Sequence, residues 1–201
     1  VPLDHGDVLA INANRSAVLF TDTSSAVPWS LSVTPFKGTA IRLANGQVMM
    51  LTQNSVVRVD PETGDFSSVL SGLPQSISCL LKETDTLWVG EPLGLGHIVD
   101  QSYTRLPIDK ALDIDRIEFI QRGPDGQLWL GTDNGLFRFS ARDGVLRPIP
   151  GLEGMTVRTM AVIDGLVFIG TYGNGAFVQD ASGLHSFPLD HRGFAAHVHA
   201  F

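Results

Sequence analysis

Five polar residues recur at one register of this sequence: Thr39, Ser78, Glu118, Arg158 and His199, separated by 39, 40, 40 and 41 residues. Two hydroxyls, a carboxylate, a guanidinium and an imidazole supply donors, acceptors and both signs of charge. Positions that share a register but differ in residue type do not repeat one catalytic group. They suit a wall that contacts a polar ligand or simply faces water. A second set, Asn134, Tyr172 and Asn174, falls in turns that follow apolar runs. Exposed Tyr and Asn suit sugar recognition by stacking and hydrogen bonding, although Asn at such places also serves the turn. Four histidines, His185, His191, His197 and His199, crowd toward the C-terminus. Imidazole is a common metal ligand, and His197-x-His199 on a strand would put both rings on one face. No acidic residue stands at a diagnostic spacing from them, so no metal is assigned.

Catalytic signatures are missing. There is no Gly-x-Ser-x-Gly elbow, no His-Glu-x-x-His, no phosphate loop and no dinucleotide fingerprint between strand and helix. Gly94-Leu95-Gly96 and Gly173-Asn174-Gly175 read as turn glycines in repeat register. No catalytic residue and no cofactor is therefore assigned. The net charge is −7 and only three lysines occur, which argues against a surface that tracks nucleic-acid phosphates. Basic residues are scattered, without a run that would hold an anionic membrane. Charged residues make up only 17% of the chain and hydrophobic ones 43%, a balance that favours a well-buried core. The single cysteine, Cys79, excludes an intrachain disulfide and reads as a small buried hydrophobe. No apolar run approaches the ~18–20 residues of a membrane helix. The sequence opens on Val1 rather than Met, which leaves room for a start and a targeting signal upstream.

The elements that must position these residues are set by a repeat of about 40 residues. Val48–Thr52, Leu87–Glu91, Leu128–Thr132 and Val167–Thr171 align, with Met49, Trp88, Trp129 and Phe168 at their second places, 39, 41 and 39 apart. The copy around Trp129 is the clearest. Strands are predicted at 117–122, 128–132, 136–139 and 145–149, separated by Pro124-Asp125-Gly126, Asp133-Asn134-Gly135 and Arg142-Asp143-Gly144. Asp-Gly and Asn-Gly are strong hairpin signals because both residues tolerate positive φ. The second strand is apolar at both parities, so it must be covered on both faces. Four-stranded sheets stacked face to face around an axis satisfy this. The sequence thus predicts an all-β chain of β-propeller blades, with the first strand of each blade lining a central channel. Gly90, Gly131 and Gly170 are expected to make room for a bulky side chain of the next blade. The predicted units are a degenerate blade at 6–35, blades at 36–75, 76–113, 114–155 and 156–195, and the start of a further blade at 196–201. Val1-Pro2-Leu3-Asp4-His5 resembles Phe187-Pro188-Leu189-Asp190-His191, as if the chain began on the outer strand of a preceding unit.

The run Asp125-Gly126-Gln127-Leu128-Trp129-Leu130-Gly131-Thr132-Asp133-Asn134-Gly135-Leu136-Phe137-Arg138-Phe139 resembles the two-component regulator propeller repeat. Leu87–Gly90 and Phe168–Thr171 match that repeat in part, and the copy around Met49 keeps only the Asn-Gly turn and the apolar strand. The resemblance implies a periplasmic piece of a membrane-bound sensor, in which seven-bladed propellers precede a membrane helix and a histidine kinase or diguanylate cyclase output. It implies oligosaccharide ligands, a receptor homodimer, and membrane attachment only through parts of the receptor beyond these residues. About five units are visible, which favours an incomplete part of a seven-bladed ring over a closed small propeller.

Three function classes follow as expectations. The first is a non-catalytic ligand-sensing domain. The second is a scaffold for protein–protein interaction. The third is a propeller enzyme of the lyase or lactonase type, which would need acids and histidines converging at one channel mouth.

Overall fold

The computed structural model describes residues 8–11, 16–20, 26–30, 35–42, 48–52, 55–60, 65–73 and 77–187, with side chains from residue 48 onward except Leu51. His199 and the unit expected at 196–201 lie outside the described residues. A first sheet has three strands, β1 (Val8–Ile11), β2 (Ser16–Phe20) and β3 (Ala26–Ser30). Four sheets of four strands follow. The second holds β4 (Pro35–Arg42), β5 (Val48–Thr52), β6 (Ser55–Val59) and β7 (Phe66–Ser71). The third holds β8 (Cys79–Lys82), β9 (Leu87–Glu91), β10 (Gly94–Val99) and β11 (Ser102–Pro107). The fourth holds β12 (Ile117–Arg122), β13 (Leu128–Thr132), β14 (Gly135–Ser140) and β15 (Val145–Pro148). The fifth holds β16 (Thr156–Ile163), β17 (Leu166–Tyr172), β18 (Ala176–Asp180) and β19 (Gly183–Phe187). Each sheet runs in simple sequence order. A 3-10 turn at Lys110–Leu112 is the sole helical element among the described residues. Successive four-stranded meanders are the blades of a β-propeller, the fold class that the repeat predicts.

The turns form where the chemistry allows them. Asp164 and Gly165 both take positive φ, +51° and +81°, the pairing that a two-residue hairpin with native twist requires. At the turn after β13, between the second and third strands, the left-handed residue is Gly135 alone (φ +121°). Asn134, expected to share that conformation, does not adopt it and has another task, described below.

The chain divides into two compact units, Val1–Val89 with His97–Thr104, and Gly90–Gly96 with Arg105–Phe201. In the first, Met49, Val56, Leu73, Ile77, Leu80, Leu87, Val89 and Ile98 form one apolar cluster. In the second, Trp129, Leu136, Ile149, Leu152, Val157, Met160, Val167 and Ile169 do the same, joining the fourth sheet to the fifth. Every residue of β9 and of β13 is buried, as strands apolar at both parities must be.

Trp129 shows how one sheet holds its central aromatic. Its indole lies over Gly123, where an added methyl would meet Nε1 at 2.1 Å. Nε1 donates to Asp125 Oδ1 at 2.9 Å, and the Arg138 guanidinium covers the ring at 5.1 Å. Arg138 Nε also lies 3.6 Å from Asp125 Oδ2. The third sheet repeats this with different residues. Trp88 Nε1 donates to Glu83 Oε2 at 3.1 Å, and the His97 ring stands 5.4 Å from the indole. The third and fourth sheets thus share a carboxylate on the preceding hairpin and a polar ring or cation on the third strand.

Gly131 departs from expectation. Its missing Cβ leaves room not for a side chain of the next sheet but for Phe119 of its own first strand, whose Cε1 would lie 2.0 Å from the methyl. The nearest atom of the fifth sheet is the Val157 carbonyl oxygen, at 2.6 Å. A bulge between Ile117 and Phe119 brings the ring there.

Candidate ligand-binding face

Three of the first strands, β4, β12 and β16, carry a register shift at the place singled out in the sequence. In β12 the pairing passes from Ile117↔Thr132 to Phe119↔Gly131, so Glu118 is the extra residue. In β16 it passes from Val157↔Thr171 to Thr159↔Gly170, so Arg158 is the extra residue. In β4 the register shifts between Pro35 and Ala40, a span that includes Thr39, whose side chain lies outside the description. A bulge frees one residue from the ladder and re-aims its side chain, and such sites gather beside functional surfaces. Spacing alone shows the shared register but not the bulge, because the irregularity exists only between paired strands.

Arg158 and Tyr172, which the sequence places on two different surfaces, meet in the structure. The Arg158 guanidinium lies 4.8 Å from the centre of the Tyr172 ring, and Tyr172 is 49% exposed. The loop after Tyr172 is held shut at its base. The Thr171 hydroxyl donates to Gly175 O at 2.7 Å and its backbone N–H donates to the same oxygen at 3.0 Å. Gly173 and Gly175 take positive φ, and Asn174 between them is exposed. The same clamp recurs at Thr52, which donates to Ser55 O at 3.0 Å, and at Thr132, which donates to Gly135 O at 2.9 Å.

Asn134 is a cross-link. Its Nδ2 donates to Leu112 O at 3.1 Å, and its Oδ1 accepts from the Gly154 N–H at 3.1 Å. The neighbouring Asp133 carboxylate accepts from the backbone N–H groups of Asp115 and Arg116 at 3.2 and 3.1 Å. Thr156 Oγ1 reaches Asp133 O at 3.4 Å. This loop therefore ties the segment before β12 to the segment before β16 and steadies the bulge that carries Arg158. Asp133 and Arg116 escaped the sequence reading. An acidic residue directly after the Thr clamp is the signal that could have exposed Asp133.

Glu118 is occupied. Arg116 Nε donates to its Oε1 at 2.6 Å, and Arg116 Nη2 contacts the same oxygen. Ser78 stands just before β8 in the first unit and is only 8% exposed. Of the histidine group, His185 is described, while His191, His197 and His199 lie outside the described residues. His185 Nε2 lies 2.8 Å from Ser182 Oγ, and that hydroxyl donates to Asp180 Oδ1 at 2.6 Å. Ser, His and Asp are present, but not in a nucleophilic order, since the carboxylate takes the serine hydroxyl directly instead of orienting the far ring nitrogen. Asp180 also accepts from the Ser182 and Gly183 N–H groups, so the cluster closes the β18–β19 turn.

One copy breaks the Thr clamp. Glu91 replaces threonine at the end of β9, and its side chain is 2% exposed. Arg105 Nε lies 3.3 Å from Glu91 Oε2, and Arg105 packs against Gly94, where a methyl would meet Nε at 2.8 Å. Burial raises the Glu91 pKa above 4.5, and Arg105 offsets this only in part. The native state therefore binds this proton more readily than the unfolded chain does. As pH rises from 4.5 through the raised native value, ionisation in place removes stability. Asp143, held down to about 2 chiefly by Arg147, and Asp180, held down chiefly by Ser182, act oppositely: their stabilising contribution is lost as pH falls below 3.8. Both are unaffected by a change at residue 91. Glu91→Gln should accordingly gain stability relative to the parent as pH rises from about 4 to about 8. Urea midpoints of the two proteins across that range check this, and a difference that stays flat or shrinks contradicts it.

Neither a family model nor a curated protein matches the chain. Solved structures do. An extracellular domain of a Bacteroides thetaiotaomicron protein described as a hybrid two-component system superposes with a TM-score of 0.70 at 18% identity, over 100% of this chain and 34% of that one. A second such domain from the same organism gives 0.75 at 15% identity, over 96% of this chain and 28% of the other. PorZ, a surface component of the type-IX secretion system of Porphyromonas gingivalis, gives 0.68 at 14% identity, over 94% and 33%. The chain spans about a third of the length of these structures. At such identities the likeness is one of fold, and that fold is a β-propeller of four-stranded antiparallel blades.

Proposed function

We propose that this chain is a non-catalytic, ligand-sensing propeller domain of a bacterial membrane-bound receptor, held in the periplasm and regulating a histidine kinase or diguanylate cyclase. The observation that carries the reading is likeness along the whole chain to extracellular domains described as parts of hybrid two-component systems. The loop face with Arg158, Tyr172 and Asn174 supports it, since it offers a cation, an exposed ring and an amide on a braced surface. Thr39, Ser78, Glu118 and His199 belong to the same proposal as channel-side positions, and Asn134 as the brace. The ligand is an oligosaccharide, and no cofactor takes part. Binding would bias how two receptor chains associate, and it can do so only by its difference in affinity for the two arrangements.

A thermal-shift screen against a broad panel of oligosaccharides tests this. Ligand at 100 times its Kd should add about 2.7 kcal/mol of stability. No rise in melting midpoint with any member of the panel would remove the reading.

A scaffold function is the second reading, and one feature favours it. The β16–β17 hairpin ends in Val162, Ile163 and Leu166, which are 40%, 52% and 37% exposed. Clustered apolar side chains at a hairpin tip are a surface that proteins use for contact.

A further inference from the structure

We propose that the ligand of the loop face is an anion, a carboxylate carried on a sugar-sized ring, gripped by the Arg158 guanidinium with Tyr172 as the flat wall beside it. The inference rests on the ligand-sensing reading and adds the charge and the contact point.

Four other arginines of this unit are paired with acids: Arg105, Arg116, Arg138 and Arg147 each meet a carboxylate, at Glu91, Glu118, Asp125 and Asp143. Arg158 does not. Among the described residues it has no ion-pair partner; its Nε, like those of Arg58 and Arg138, is buried without a hydrogen-bond acceptor. Its one neighbour of note is the Tyr172 ring. This is not a shortage of acids, because the chain holds 21 Asp and Glu against 14 Lys and Arg. A guanidinium that no carboxylate of its own chain meets is open to an oxyanion ligand.

Geometry gives the class of anion. The guanidinium is a planar fork that matches carboxylate and other oxyanions through two parallel hydrogen bonds. The bulge holds Arg158 out of the strand ladder, so its backbone position is not free to retreat. Tyr172 is half exposed beside it, and Asn174 stands two residues on with an exposed amide. A flat ring, an amide and an unpaired fork together fit a hydroxylated ring that bears a carboxylate. A neutral sugar would leave the fork unfilled. A cationic ligand would be repelled.

The test is nitrogen-15 NMR of the Arg158 Nε–H, titrated with sodium glucuronate, with glucose and with sodium chloride at matched ionic strength. Glucuronate is expected to shift this resonance and the Tyr172 ring signals saturably, and glucose and chloride are not. Arg158→Gln should weaken glucuronate binding tenfold or more. Arg158→Lys, which keeps the charge and loses the fork, should fall between. The proposal is overturned if glucuronate gives no saturable shift, if glucose shifts the Nε–H equally, or if Arg158→Gln binds glucuronate as the parent does. The comparison of glucose with glucuronate uses the unaltered chain and so needs no variant to fold. Glucose binding at Tyr172 and Asn174 without glucuronate preference would remove the anion and leave the sensor reading intact. Failure of the whole saccharide panel would remove that reading instead.

Discussion

Trp129→Ala should destabilise the chain by about 3–5 kcal/mol, as large-to-small changes of buried aromatics do. The ring is 1% exposed and sits in the cluster with Leu136, Ile149, Leu152, Val157, Met160, Val167 and Ile169. Removing it opens a cavity between the fourth and fifth sheets. Gly123, over which the indole lies, has no side chain to fill the gap. Arg138 and Asp125 would also lose the surface and the donor that order them. Trp129→Phe separates the two contributions. It keeps a ring in the cluster and loses the Nε1 hydrogen bond, whose carboxylate partner is partly exposed and can turn to water. The cost should then fall to about 1–2 kcal/mol. Urea midpoints of both variants check this. An alanine variant within about 1 kcal/mol of the parent would mean that Trp129 is not the hub described.

Gly131→Ala should cost about 1–3 kcal/mol although it adds only a methyl to a strand, where alanine is otherwise favoured over glycine. The methyl would meet Phe119 Cε1 at 2.0 Å and the Val157 carbonyl oxygen at 2.6 Å. The ring can turn away at the expense of its packing, but the carbonyl is backbone of β16 and moves only with the sheet. In a Phe119→Ala background the added cost of Gly131→Ala should shrink without vanishing, because the carbonyl contact stays. A neutral Gly131→Ala, or one made wholly neutral by Phe119→Ala, would contradict the packing seen here. The double-mutant cycle reads the coupling directly, since the two residues touch.

Much of the architecture was legible in the repeat. The spacing of Met49, Trp88, Trp129 and Phe168 placed β5, β9, β13 and β17, and Asp-Gly and Asn-Gly marked turns between strands. These signals are local, because alternation and turn chemistry are properties of a few consecutive residues. The partner that fills Gly131 was misread for the opposite reason. Size shows that space is left, but only pairing shows that a bulge sends Phe119 into it. Asn134 was read as a residue chosen for its φ, yet its amide spans Leu112 and Gly154, which are 22 and 20 residues away in sequence.

The candidate face divides in the same way. Register alone selected Glu118 and Arg158 as equivalent, and both do stand at the bulge of a first strand. Their neighbours make them unlike. Glu118 has Arg116 two residues before it and forms an ion pair. Arg158 has Val157 and Thr159 beside it and Thr156 before them, so no carboxylate is within local reach, and it lies on Tyr172 instead. Thus the sequence by itself determined the period, the strands and the residues that share a position. That Arg158 lies on Tyr172 was decided only by the folded chain, because the contact depends on the pairing of β16 with β17, which the linear order does not contain.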